Sequence, residues 1–395
     1  MDKKYRIIIA AGGTGGHIFP AIALAKKFKS DGHRVTIIAT GNDLEKKIFA
    51  QEKIDAVYFE SRFKDVSGFR KYISLLTSPS LDLFKFVKDF NPNLVLGMGG
   101  YASLDVCKAA SYIAESNDSE EHFMMHDLIE PYIAIHEQNS KAGRANRYIA
   151  NTRARGIIEG FPGAFDWKTR FLQTSTDDLI FLGNPVRSEI LDVKRYVRSY
   201  SEYSKTPRIL ILGGSQGARS INYSIPDIVQ KLSHKMNIEV MHQTGEHDYV
   251  KICEMYKENG SSADVFPFIQ HMAKAYEWAD LVIGRSGAMT VSELSAIGMP
   301  SILIPYPHAM DNHQLYNALF LEKKKATVII NDKELKSEHF LETIERIFLE
   351  DGILQDMGEA AFDETFVNAC QNITQFCYEM IEKPPLSAPI PGGFE

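Results

Sequence analysis

The sequence predicts an α/β protein built of two Rossmann-like, doubly wound parallel-sheet domains that face each other across a cleft. Three observations carry this expectation. Short β-branched runs alternate with stretches of helical period, as in parallel strands buried between crossover helices. A turn of the form Gly-Gly-(Thr/Ser)-x-Gly follows a strand twice, at Gly12-Gly13-Thr14-Gly15-Gly16 and at Gly213-Gly214-Ser215-Gln216-Gly217. The chain has 395 residues, more than one hydrophobic core ordinarily serves.

In chain order, residues 5–11, 34–40, 94–96 and 133–136 read as the buried strands of the first domain, with a helix at 21–29 after the first glycine turn. Residues 208–212, 238–242, 281–283 and 301–304 read as strands of the second, with a helix at 315–323. Boundaries are expected at 1–186 and 187–364, with the polar stretch 195–206 as connection. A helix at 365–382 is expected to pack back on the first domain. The proline-rich end, 383–395, is expected to be a disordered tail. Two segments depart from the regular plan. Residues 116–121 are acidic and polar, and read as a solvated insertion. Residues 69–90 interleave Phe, Leu, Ile and Tyr with Arg70, Lys71, Lys85 and Lys88.

Composition narrows the function classes. Apolar residues make up 44% and charged residues 24%, as in a globular protein. A formal charge of -7 argues against a general nucleic-acid binder. Cys107, Cys253, Cys370 and Cys377 are scattered without a Cys-x-x-Cys pair, which suits reduced thiols in a cytosolic compartment. No apolar run reaches the roughly 18 residues of a membrane span, so any membrane role is expected to be peripheral.

The chemistry gathers after strands. The first glycine loop is neither a dinucleotide fingerprint nor a Walker loop, but glycines let the backbone close on a ligand and free helix amides for an anion. Pro20 suits a first helical turn. His17 is then expected between loop and helix, at the cleft edge. In the second cluster, Asp280 to Glu293, a helix is expected to begin near Gly287 and point its amides and dipole at an anion, with Arg285 adding charge. Glu293, inside that helix, has the geometry of a bidentate acceptor for a ribose diol or of an ordinary surface carboxylate. The third cluster, Pro305 to His308 and Asp311 to Gln314, suits sugar hydroxyls, or a helix cap at Asp311. No Asp-x-Asp and no zinc-type His/Cys spacing occurs, so neither a metal nor another cofactor is expected, and diphosphate neutralisation is assigned to helix termini and basic side chains.

Taken in order, these stretches resemble the MurG family. The matching residues are Gly12 to Pro20, Gly97-Met98-Gly99-Gly100-Tyr101, His136-Glu137-Gln138-Asn139, Phe161 to Phe165 and Gly183-Asn184-Pro185-Val186-Arg187. They continue with Gly213 to Arg219, Arg285 to Ala288, Thr290 to Glu293 and Asp311 to Gln314. The resemblance implies a GT-B fold and a UDP-N-acetylglucosamine donor held mainly by the second domain. It implies transfer, in peptidoglycan synthesis, to the C4 hydroxyl of undecaprenyl-diphosphate-linked N-acetylmuramoyl-pentapeptide, lipid I, at the cytoplasmic face of the membrane.

Site roles follow from the same resemblance. Ser215 is implied to meet the diphosphate, and Phe268 and Ile269 to frame the uracil. Glu293 is implied on the ribose, and Ala288 and Gln314, helped by Asp311 or Asn312, on the sugar. Thr14, Gly15, Asn139, Arg187, Arg285, Ser286 and Gly287 complete the donor set. Gly16, Tyr101 and Asn139 are implied on the acceptor side, and His17 is the candidate base. Residues 69–90 match the family's membrane patch, as basic side chains ringing apolar ones suit an anionic surface. An amphipathic helix packed on its own sheet is the competing reading of that segment. Two features depart from the family pattern: Leu104-Asp105 stands where Gly-Pro is common, and an insertion precedes His136. A UDP-N-acetylglucosamine 2-epimerase, a non-catalytic sugar-nucleotide-binding adaptor and a diacylglycerol glycosyltransferase are the alternatives. Turnover of donor alone distinguishes the first.

Overall fold

Ile7, Ile8 and Ile9 are wholly buried although successive side chains of a strand leave on opposite faces, so both faces of this strand are covered. The computed structural model describes residues 3–13, 15–60, 78–117, 129–165, 179–193, 206–213 and 217–382. The expected tail, all but Thr206 of the expected connection, most of the 116–121 insertion, and Thr14 and Ser215 lie outside them.

The first sheet comprises β1 (Arg6–Ala10), β2 (Arg34–Ala39), β3 (Ala56–Tyr58), β4 (Leu94–Gly97), β5 (Tyr132–Glu137), β6 (Gly156–Glu159) and β7 (Leu179–Phe181) in the order β3-β2-β1-β4-β5-β6-β7. Its helices are α1 (Gly15–Ser30), α2 (Asp43–Gln51), α3 (Leu81–Phe90), α4 (Gly100–Asn117) and α5 (Arg144–Thr152), followed by the short α6 (Ser188–Leu191). The second sheet comprises β8 (Arg208–Leu212), β9 (Glu239–Gln243), β10 (Asp264–Phe266), β11 (Leu281–Gly284), β12 (Ser301–Leu303) and β13 (Thr327–Ile329) in the order β10-β9-β8-β11-β12-β13. Around it lie α7 (Arg219–Ser233), α8 (Tyr249–Glu258), α9 (Met272–Trp278), α10 (Ala288–Ile297), α11 (His313–Glu322), α12 (Glu338–Leu349) and α13 (Ile353–Ala361), and α14 (Glu364–Glu382) ends the described chain. Every strand pair is parallel. The two doubly wound sheets expected from the alternating pattern are present.

Each sheet separates two apolar layers. Ile7 and Ile9 pack with α1 and with Ala369, Ile373 and Cys377 of α14, whereas Ile8 and Ala10 pack with α3, α4 and α5. Across the second sheet, Ile209 and Ile211 meet α7 and α12. Leu210 and Leu212 meet α9 and α10 in a layer that also takes in Phe161 and Phe366. Burying one such Leu or Ile stabilises by about 1.5–3 kcal/mol. Tyr378 of α14 also donates to Asp31 at 2.7 Å, which fastens α14 to the end of α1.

Local differences from expectation have clear causes. Helix α1 starts at Gly15, so His17 is in its first turn and Pro20 lies further inside than a first-turn proline. The strands missed in the sequence, β3, β6, β7, β10 and β13, are three or four residues long, too short to show a period. Of residues 69–90, those from 78 on are described. Helix α3 buries Leu83, Val87 and Phe90 in its own domain and leaves Leu81 66% exposed.

Candidate active site

The first site element is the head of α1. The imidazole of His17 lies along the backbone that follows β4: a Cβ on Gly99 would stand 2.9 Å from its Cε1 and 3.0 Å from its Nδ1. Gly99 and Gly100 have φ of +92° and +76°, a region other residues rarely adopt, so the chain turns here without a side chain and leaves room for the ring. Nδ1 of His17 lies 2.7 Å from Oε1 of Gln138, at the end of β5. Burial holds the neighbouring His136 down to about 4, so that ring is neutral near pH 7.

Three buried carboxylates shape the loops around this imidazole. Glu45 of α2 accepts from the Gly13 amide at 2.7 Å, from the Thr40 hydroxyl at 2.7 Å and from the Gly41 amide at 2.5 Å, and it closes the capping box with Asn42. Glu137 accepts from the amides of Asn139 and Gly143 and from the side chains of Asn139 and Asn146. Glu159 accepts from the amides of Gly163 and Phe165. Each replaces lost hydration with charge-assisted bonds to loop amides, which stiffens the strand ends.

The second domain presents the start of α10. Gly287 is its N-cap, the cap makes no side-chain hydrogen bond, and the first turn holds no acid. No side chain among the described residues caps its leading amides, which carry the positive end of the dipole. Gly217, after β8, has φ +49°, and a Cβ there would sit 2.6 Å from the Thr244 carbonyl oxygen, so the backbone at Gly217 is pressed against the end of β9. Ile269 is buried, with its amide donating to Gln243 at 2.9 Å, while Phe268 beside it is 47% exposed.

Several candidate side chains are already engaged. Glu293 is 7% exposed, which removes the surface-carboxylate reading. Its Oε1 accepts from Arg187 Nη2 at 3.0 Å and its Oε2 from the Tyr276 hydroxyl at 2.9 Å. Burial, and then the Glu293 charge, raise Tyr276 well above its ordinary value, so it stays a donor. Arg187 also stacks over Phe19 of α1 at 5.1 Å. The Arg285 guanidinium pairs with Asp332 at 2.6 Å and donates to Ser220 and to the Ile304 carbonyl, so its charge is neutralised beside the loop after β12. Ser286 donates to the Gln314 carbonyl at 2.7 Å, and Oε1 of Gln314 accepts from the Tyr306 amide at 2.9 Å. Asp311 and Asn312 sit at φ +52° and +56°, two consecutive left-handed residues before α11. The cap position of α11 is Asn312, and the Asp311 carboxylate reaches Arg147 instead.

The strand-end loops of the two domains meet. Asn184 Nδ2 donates to the Gln138 carbonyl and to Ser292 Oγ, both at 2.9 Å. Asn317 of α11 accepts from the Ser140 amide at 2.8 Å, and its Nδ2 donates to the Asn139 side chain and the Ser286 carbonyl. Arg147 pairs with Asp311 at 2.8 Å. His17, Gly15, Gly16, Tyr101 and Asn139 thus belong to the elements of the first sheet, and Ile269, Phe268, Ser286, Gly287, Ala288, Glu293 and Gln314 to those of the second, with Arg187 bonded to Glu293 and stacked on Phe19 between them. Glu45, Gln138, Asn184, Tyr276 and Asn317 belong to the same assembly. The sequence signals available for them were the Asn42-to-Glu45 capping-box spacing and membership in the motifs around Gln138 and Asn184. Among the described residues, no group of three or more His, Cys, Asp or Glu is placed to hold a metal ion.

This architecture has known relatives. The glycosyltransferase family 28 N-terminal domain matches residues 7–158 and the glycosyltransferase family 28 C-terminal domain matches residues 208–373. The UDP-N-acetylglucosamine–N-acetylmuramyl-(pentapeptide) pyrophosphoryl-undecaprenol N-acetylglucosamine transferase of Coxiella burnetii is 35% identical over 374 residues, 94% of this chain and 98% of the relative. The crystal structure of Acinetobacter baumannii MurG is similar with a TM-score of 0.74 at 26% identity, covering 96% of this chain and 100% of that one. The UDP-GlcNAc 2-epimerase of Neisseria meningitidis, at 11% identity and a TM-score of 0.62 over 94% of this chain and 100% of that one, shares the fold alone. The chain is a two-domain GT-B glycosyltransferase and belongs to the MurG family within glycosyltransferase family 28.

Proposed function

We propose that the protein transfers N-acetylglucosamine, with inversion, from UDP-N-acetylglucosamine to the C4 hydroxyl of N-acetylmuramoyl-pentapeptide carried on undecaprenyl diphosphate. The observation that carries this reading is the juxtaposition of two elements. One is the His17 imidazole, held on Gly99 and Gln138; the other is the start of α10, which no described side chain caps and which is joined to the Gln138 backbone through Asn184 and Ser292. Likeness to the Coxiella transferase over nearly the whole chain supports the donor and acceptor.

His17 takes the proton of the acceptor hydroxyl as its oxygen forms a bond to the sugar C1, and the C1–oxygen bond to UDP breaks on the opposite face. UDP leaves with the electron pair. The α10 amides, with the loop that includes Ser215, stabilise the charge that grows on the diphosphate. Phe268 and Ile269 frame the uracil. Glu293 meets the ribose, oriented by Arg187 and Tyr276. Arg285 and Ser286 act by holding the Gly287 loop against β12 and α11. Residues 1–186 form the acceptor half and 187–364 the donor half. The enzyme works at the cytoplasmic face of the membrane, on an anionic surface, through residues 69–90; within α3 the exposed residues are Leu81, Asp82, Lys85 and Asp89. No described helix is long and apolar enough to cross a membrane.

The test measures UDP release and product formation with labelled UDP-N-acetylglucosamine and a short-chain lipid I analogue. Product is expected only with both substrates. Conversion of donor without acceptor would replace this reading with epimerisation. His17→Ala is expected to lower kcat by about 100-fold or more with UDP affinity unchanged; equal loss of both would remove the base assignment.

A further inference from the structure

We infer that Gln138 and His136 are positioning residues that fix the tautomer of His17, so that Nδ1 carries the hydrogen and Nε2 is the nitrogen that takes the proton in catalysis; this rests on His17 acting as the base. The Gly183 backbone oxygen, which only accepts, lies 2.9 Å from His136 Nε2, so that nitrogen carries a hydrogen. His136 is neutral, and its Nδ1 therefore bears a lone pair. Gln138 Nε2 stands 2.8 Å from this Nδ1 and 3.0 Å from the His136 carbonyl oxygen, and donates to both. The backbone carbonyl alone would fix which end of the amide is nitrogen. The other end, Oε1, then faces His17 Nδ1 at 2.7 Å and can only accept. His17 must place a hydrogen on Nδ1 whether its ring is neutral or charged. The opposite tautomer would set two lone pairs against each other at that distance.

The relay is built into a rigid frame. Gln138 and His136 are 1% and 0% exposed, so water does not compete for these bonds. Gly183 has φ +82° and is backed by the Thr365 carbonyl, and the adjoining Asn184 holds the Gln138 carbonyl. No described residue hydrogen-bonds His17 Nε2, which leaves that nitrogen to the acceptor hydroxyl. A neutral imidazole with its hydrogen on the wrong nitrogen cannot serve as base there, so the fraction in the right tautomer multiplies kcat.

The direct test is a nitrogen-15 spectrum of histidine-labelled wild-type enzyme, well above the ordinary imidazole titration range, with the His17 signals assigned by their loss in His17→Ala. A single tautomer hydrogenated at Nδ1 is expected for His17 and at Nε2 for His136. A His17 ring hydrogenated at Nε2, or an equal mixture, overturns the inference. Gln138→Met removes the acceptor at similar volume; it is expected to mix the His17 tautomers and lower kcat by about 10–100-fold while donor KM stays within about twofold. A Gln138→Met enzyme with wild-type kcat and one His17 tautomer also overturns it. If His17→Ala itself retains wild-type kcat, the base assignment fails instead, whatever Gln138 does.

Discussion

Alanine at Gly99 is the sharpest available perturbation of the proposed base, because it acts on His17 without touching its chemistry. The added Cβ would lie 2.9 Å from Cε1 of His17, against 3.4 Å where ordinary contact begins, so the ring or the chain must yield by about 0.5 Å. The atoms on the other side of the contact are a packed imidazole, held at Nδ1 by Gln138, and not the loose end of a flexible side chain. Displacements approaching 1 Å in a reacting group cost about 100-fold, so a kcat loss of about 10–100-fold is expected, with little change in UDP affinity. The substitution also strains the backbone, since φ is +92° at this position, and costs about 1–2 kcal/mol of stability.

Gly32→Ala separates the two effects. Gly32 has nearly the same φ, +90°, and a Cβ there would meet nothing within 4 Å. Both variants should lose stability in urea unfolding, Gly99→Ala the more because of its contact with the ring, and only Gly99→Ala should lose turnover in the transfer assay. Wild-type kcat in Gly99→Ala would refute the idea that His17 is held against this backbone as the working base.

Glu293→Ala should weaken UDP binding by about tenfold in calorimetry and lower stability by about 3 kcal/mol, because Arg187 and Tyr276 lose a buried partner; unchanged UDP affinity would contradict the ribose role. Glu45→Gln places amide hydrogens against loop donors, and is expected to cost about 2 kcal/mol in urea unfolding and to lower kcat through the Gly13 loop. Acid should destabilise the fold through its buried imidazoles. His242 is held at about 3 and His136 at about 4, both by burial, from 6.5. Each folded value is depressed, so the unfolded chain binds the proton first. Stability is complete above the unfolded value and is lost as pH falls toward the folded one. Between about pH 7.5 and about pH 5 each should contribute a loss of about 2 kcal/mol, and His242→Gln should remove its share from the pH dependence of the urea midpoint.

Much of the frame was legible because parallel strands advertise themselves. Runs such as residues 7–10 and 209–212 are apolar on both faces, and glycines mark the turns that follow. The family motifs name most of the residues that bond the strand-end loops of the two domains together. Engagement among them was not legible, since it depends on partners far apart in the chain. Gln138 meets His17 across 121 positions, and Glu293 meets Arg187 across 106. Sequence spacing marked Glu293 as a helix carboxylate without showing that helix α10 is buried nearly all round. Arg285 carried a charge that suited an anion, but the nearby Asp332 comes from the turn after β13. Asp311 had the identity of a cap residue; left-handed backbone at both 311 and 312 turns its carboxylate to Arg147 instead.

A crystal structure of the enzyme with UDP bound shows which helix end holds the diphosphate. The diphosphate should lie at the start of α10, against the amides that follow Gly287, with the uracil beside Phe268 and Ile269. A nucleotide seated away from that helix end would contradict this role of α10.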